Sequence, residues 1–170
     1  RVDANGGWNL PTAVEMSHWL AERGVRYIEQ PLKEGDESNL LPLYEQSALP
    51  IYVDESCRFA HNIPQWARAV HGINFKLMKC GGITEALRII ATAKAFGLKT
   101  MVGCMSESSV SIAAAAALSG VLDHIDLDSH YNLAPDPAEG APMIKGITQP
   151  TERPGHGAQL KKETNVTTVG

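Results

Sequence analysis

The feature that most constrains this chain is an alternation of strand-like and helix-like segments that recurs about every 25 residues. Short apolar runs end at Val2-Asp3, Tyr27-Ile28-Glu29, Ile51-Tyr52-Val53-Asp54, Ile73-Asn74-Phe75-Lys76, Thr100-Met101-Val102 and Ile125-Asp126-Leu127-Asp128. Between them, Pro11 predicts a first helical turn, and Gly24 closes the helix that holds Val14, Trp19 and Leu20. Ile83, Leu87, Ile90 and Ala91 form an i, i+4, i+7, i+8 stripe that predicts a buried helix face, ended by Gly97. The Ala-rich stretch from Val110 to Leu118 predicts a helix pressed closely against a sheet.

Such a repeat gives parallel strands with helices outside them. A solenoid is disfavoured, because no Leu-rich consensus recurs at fixed offsets. An open nucleotide-binding sheet would want a glycine-rich phosphate turn after its first strand. Gly81-Gly82, the candidate after a strand, lack the GxGxxG frame. The expected fold is therefore α/β, a (β/α)8 barrel of the TIM type. Six strand–helix units are visible where a closed barrel has eight and spans ~250 residues. The chain also opens inside what reads as a buried strand, so we expect further sequence upstream of Arg1. After Asp128 the pattern stops. Residues 1–140 are taken as barrel, and 141–170 as a return segment with a short strand near Met143-Ile144.

Composition narrows the functional classes. With 44% apolar and 20% charged residues this is an ordinary globular chain. A net charge of −4 leaves no basic footprint, so nucleic acid is not an expected partner. No apolar run approaches the ~18 residues of a membrane span. Cys57, Cys80 and Cys104 are odd in number and widely spaced, which predicts reduced thiols and a cytoplasmic setting. Six scattered histidines show no ligand spacing for zinc.

Polar residues recur at one place, the C-terminal end of each strand: Asp3, Glu29, Asp54, Lys76, then Asp126 and Asp128. In a parallel barrel these ends share one rim, and that rim is where active sites sit. Any single acid among them would pass for a helix cap. Three at matched repeat positions predict convergence. Two unit charges 4 Å apart repel by ~4 kcal/mol at an effective dielectric near 20, so three carboxylates need a cation. Oxygen-only ligands favour Mg²⁺ over zinc. Lys76 points to the same rim, and a partly desolvated lysine beside a metal has its ammonium form disfavoured, which suits a general base. Lys79, three residues on, reads as structural or solvent-facing.

Taken together, Asp3-Ala4-Asn5, Glu29-Gln30-Pro31, Asp54-Glu55-Ser56 and Lys76-Leu77-Met78-Lys79-Cys80-Gly81-Gly82-Ile83 resemble the third to sixth strand motifs of the enolase superfamily. Within it they resemble the muconate lactonizing enzyme subgroup, and most closely the dipeptide epimerases of the L-Ala-D/L-Glu type. The likeness continues through Val102-Gly103-Cys104-Met105-Ser106-Glu107 and Asp126-Leu127-Asp128, over about residues 1 to 130. The resemblance implies that Asp3, Glu29 and Asp54 bind one Mg²⁺. It makes Lys76 one of two acid/base lysines, the other expected on the second strand, upstream. Asp126 and Asp128 would hold a dipeptide's ammonium, and Cys104, Met105 and Ser106 would contact its backbone. Residues after about 140 would pack on an N-terminal capping domain.

The implied reaction is Mg²⁺-dependent epimerisation of a dipeptide through an enolate. The partner is then a small molecule, with a homo-oligomer as the compatible assembly. Muconate cycloisomerase and o-succinylbenzoate synthase share the metal site and lysines but bind no ammonium, so the Asp-x-Asp pair favours the epimerase. An inactive barrel fragment is the remaining alternative. Glu55 and Glu107 are candidates for orienting lysines or water, and Trp8, Trp19 and Trp66 for core or interface anchors.

Overall fold

The computed structural model describes residues 1–162. Six strands form one parallel sheet in strictly sequential order: β1 (Val2–Asp3), β2 (Ile28–Glu29), β3 (Ile51–Val53), β4 (Gly72–Phe75), β5 (Lys99–Val102) and β6 (His124–Ile125). The order never reverses, which is the winding of a barrel and not of an open doubly wound sheet. The sheet is a half-barrel, and the side chain of Arg1, leading into β1, is paired with Asp126, which follows β6. One side chain therefore ties the first strand to the last, so the sheet is strongly curled.

Helices α1 (Leu10–Ala21), α2 (Leu40–Gln46), α3 (Ile63–Trp66), α4 (Leu77–Cys80), α5 (Ile83–Ala95) and α6 (Ser109–Ala116) fill the connections. The Asn9 side chain accepts from Thr12 N at the start of α1, with Pro11 in its first turn, where no N–H is missed. Period-two alternation divides the strands. Ile51, Val53, Ile73, Phe75 and Val102 join Leu43, Ile63, Ile89 and Ile112 in the outer core against the helices. Tyr27, Tyr52 and Met101 form a separate inner cluster, and His124 stacks 4.7 Å from Tyr27. Glu29 and Asn74 lie on that inner side as well, each buried.

α6 is pressed on the core as its composition predicts, burying Ile112, Ala113, Ala115 and Ala116. α5 departs from expectation. Its buried face is Ala86, Ile89, Ile90 and Ala93, while Ile83 and Leu87 are exposed. Two alanines allow close approach to the sheet, and the bulkier stripe is left exposed. Trp19 is exposed too, stacked under the Arg23 guanidinium at 3.7 Å. β6 is shorter than expected. Its ladder with β5 ends at Ile125, so Asp126 and Asp128 stand beyond the strand. After it, β7 (Ala138–Glu139) pairs with β10 (Gln159–Leu160), and β8 (Met143–Ile144) with β9 (Ile147–Thr148). No helix among the described residues is long and apolar enough to cross a membrane.

Candidate functional site

The strand ends bring the predicted residues to one rim. Asp3 is the register partner of Glu29, and Asp54 follows β3 as Lys76 follows β4. Gln30 fixes this arrangement from beneath. It adopts a positive φ of 36°, is buried, and accepts a hydrogen bond from Asp54 N at 2.8 Å. Its amide nitrogen donates to Leu32 O at 2.8 Å and to Ser56 Oγ at 2.9 Å. The backbone at Asp54 is thereby tied to the end of β2.

Charge then decides where the side chains turn. Lys76 Nζ lies 2.6 Å from Asp54 Oδ2. Lys79, on α4, reaches both Asp54 oxygens at 3.1 and 3.2 Å and Glu55 Oε1 at 2.9 Å. Of the two readings of Lys79, structural or solvent-facing, the structure favours the first: one helical turn brings it back over the same carboxylate. Glu29 Oε2 accepts from Arg1 Nε at 2.9 Å, and its Oε1 accepts from Asn74 Nδ2 at 2.5 Å. Asp3 is exposed, and its Oδ1 accepts from Asn5 N at 2.8 Å.

The lysine departs from expectation in its protonation. Burial alone would lower Lys76, but the hydrogen bond and charge of Asp54, with Glu55 and Glu29 beyond it, outweigh burial and hold the ammonium above the ordinary lysine range. A disfavoured ammonium presumes a cation at the site; here Lys76 is itself the counter-charge. Glu29 is raised by burial and by the charge of Asp3, although Arg1 and Asn74 donate to it.

Among the described residues no three carboxylates, histidines or cysteines stand together as a ready ligand set. Asp3, Glu29 and Asp54 share the rim, but each is turned to its own amide or cation. Their chemistry nevertheless fits a hard divalent ion: the donors are all oxygens, on three adjacent strand ends. Two of them are nearly fully buried and now take their positive charge from Arg1, Lys76 and Lys79.

The expected substrate contacts lie on the neighbouring rim. Cys104, Met105 and Ser106 follow β5 in a loop shaped by buried Glu107, which accepts from Met105 N at 2.8 Å and from the Ser111 hydroxyl. Glu107 therefore orients this loop, and Glu55 orients Lys79. Asp126 is paired with Arg1, whereas Asp128 is exposed, with the Cys104 thiol 3.9 Å away. Arg1, Gln30, Asn74 and Lys79 were not picked out as site residues by sequence reasoning. Asn74 carried a usable signal, a lone amide in an apolar strand two positions before Lys76 and so on the same side.

Residues 1–164 match the family model described as enolase C-terminal domain-like. The chain is 71% identical over 163 residues to a hydrophobic dipeptide epimerase of Flavobacteria bacterium strain MS024-2A, covering 96% of this chain and 47% of that protein. It is 38% identical over 157 residues to the L-Ala-D/L-Glu epimerase of Bacteroides thetaiotaomicron, covering 92% of this chain and 41% of that protein. The crystal structure of a dipeptide epimerase from Cytophaga hutchinsonii, complexed with Mg and D-Ala-L-Val, superposes with a TM-score of 0.88 at 30% identity, over 96% of this chain and 46% of that one. The chain spans about half the length of these relatives. With its sequential half-barrel and acid-and-lysine rim, the chain belongs to the enolase C-terminal domain-like family, in the enolase superfamily, and is similar to dipeptide epimerases.

Proposed function

We propose that this chain carries the metal and acid/base residues of a Mg²⁺-dependent dipeptide epimerase acting on hydrophobic dipeptides. The observation that carries it is Lys76 on the strand-end rim, 2.6 Å from Asp54 and beside the buried Glu29. The 71% identity to a hydrophobic dipeptide epimerase favours apolar side chains over the L-Ala-D/L-Glu preference expected from motifs. Asp3, Glu29 and Asp54 would hold the ion, which supplies positive charge to a developing ene-diolate, as at enolase-superfamily sites generally.

In this reading Lys76 exchanges the α-proton on one face of the substrate, and inversion requires a second acid/base group on the other. Asp128, with Asp126, offers negative charge to the dipeptide's ammonium. The loop of Cys104 to Ser106, held by Glu107, borders the peptide backbone. Three free cysteines support a reducing, cytoplasmic setting. The test is α-deuterium incorporation in D2O by the intact protein, with Mg²⁺ and with chelator, on hydrophobic dipeptides and L-Ala-L-Glu. Metal-dependent exchange is expected on the hydrophobic dipeptides. Exchange on no dipeptide, or undiminished exchange in chelator, retires the reading.

A further inference from the structure

Asn74 occupies the middle of β4 with no solvent exposure. Its Nδ2 donates to Glu29 Oε1 at 2.5 Å, opposite the Arg1 donor on Oε2, so the carboxylate is clamped from both sides. Reversing the amide would set two acceptors against each other, which fixes its orientation. The amide oxygen is then left buried without any hydrogen-bond partner. Such an orphan is costly and calls for a donor.

The adjacent donor is Lys76. Both side chains crowd the point where a Cβ on Gly103 would sit: Asn74 Nδ2 at 2.9 Å, Lys76 Cε at 3.1 Å and Asn74 Oδ1 at 3.2 Å. The absent methyl of Gly103 leaves the space in which amide and lysine lie side by side. Lys76 is at present drawn to Asp54.

We propose that Asn74 is a positioning residue that couples the Glu29 carboxylate to the Lys76 ammonium, its nitrogen fixing the first and its oxygen receiving the second once Asp54 engages the cation. This rests on the proposed metal-dependent epimerase. The amide thereby places Lys76 against one face of the substrate while aligning a metal ligand with its other end. Partners that orient metal ligands are typically worth about 10- to 100-fold in affinity or activity.

The test compares the intact wild-type protein with Asn74→Leu, similar in shape but unable to hydrogen-bond, and Asn74→Asp, which keeps an oxygen facing Lys76. Mg²⁺ affinity is read by calorimetry without substrate. Exchange of the α-proton is read separately on the L,L and L,D epimers, whose protons leave from opposite faces. Asn74→Leu is expected to weaken Mg²⁺ about tenfold and to slow exchange selectively in the epimer that faces Lys76. Asn74→Asp, which sets an acceptor against Glu29, is expected to weaken Mg²⁺ as well but to keep the wild-type ratio between epimers. If Asn74→Leu does not fold, Asn74→Ser, too short to reach both partners, replaces it. Equal slowing of both epimers, or an unchanged affinity and ratio in the folded variant, overturns the positioning role alone. A wild-type protein that neither binds Mg²⁺ nor exchanges the proton overturns the epimerase reading, and this role with it.

Discussion

Lys76 and Asp54 form a contact of 2.6 Å between side chains from adjacent strand ends, with Asp54 nearly fully buried. The pair makes each residue the other's counter-ion while both stand where the chemistry is proposed. A cation at Asp54 competes with two lysines for one carboxylate. Replacing Asp54 by Asn should therefore act twice. Without metal it strips Lys76 and Lys79 of a shared partner and costs about 2 kcal/mol, the scale of a hydrogen bond to a charged group. With metal it should abolish the rise in melting temperature that Mg²⁺ gives the wild type. A Mg²⁺-induced shift that survives Asp54→Asn rules this residue out as a ligand.

Lys76→Met tests the chemistry apart from the fold. The aliphatic stem is retained, so circular dichroism should match the wild type. Removal of an acid/base group typically costs 10²- to 10⁴-fold, and proton exchange should fall by about that factor. A loss of less than threefold would place the proton transfer elsewhere.

Two glycines separate function from stability. A Cβ on Gly103 would push on the end of Lys76 and on the buried Asn74 amide that holds Glu29. Gly103→Ala should lower the denaturation midpoint less than Gly72→Ala yet slow exchange tenfold or more, since small misplacements of reacting groups cost up to about 10²-fold. At Gly72 a Cβ would lie 2.2 Å from the Tyr52 ring, which is packed in the inner cluster and has no room to swing. Gly72→Ala should cost ~1–3 kcal/mol by overpacking, measured by urea denaturation. Equal effects of the two variants on stability would contradict this division.

The strand–helix repeat made the half-barrel legible, and the rim acids with it, because both follow from periods of two and about 25 residues. What the sequence did not reveal is where those acids turn. Arg1 and Glu29 are 28 residues apart, and Asn74 and Glu29 45 apart, so their pairing depends on the register of several strands. The α5 face was misjudged because the sheet selected small Ala86 and Ala93 over larger Ile83 and Leu87. Lys79 was set aside because it follows the strand, yet one turn of α4 returns it to Asp54.

Asp136 gives the fold a defined pH response. Burial raises its carboxyl, but hydrogen bonds from the Ser109 hydroxyl, Ala138 N and Ser109 N outweigh this and hold it below the usual range. It fastens the start of α6 to the segment before β7, with Ser109 Oγ at 2.6 Å. A folded value below the unfolded one adds stability above about pH 4, the unfolded carboxyl value, and that stability is lost as pH falls through the folded value. The difference in urea midpoint between wild type and Asp136→Asn should be constant from pH 7 to about 5, then shrink towards pH 3. A difference that grows on acidification would reverse the sign assigned to this group.

The two acids after β6 should not share the substrate's ammonium equally. Asp126 is already neutralised by Arg1, whose other contact is Glu29. Asp128 is exposed, and among the described residues its carboxylate has only the weak Cys104 thiol contact, at 3.9 Å. A hydrogen bond to a charged group is worth ~1.5–3 kcal/mol, so Asp128→Asn should raise KM by about 10- to 100-fold with kcat little changed. Asp126→Asn should raise KM less and lower stability more, because it releases Arg1 from the tie between the first strand and the last. An N-acetylated dipeptide carries no ammonium, and its residual exchange should be insensitive to Asp128→Asn. Equal KM effects at both positions, or a full loss on the acetylated substrate, would show that these acids hold the rim together and do not select the substrate.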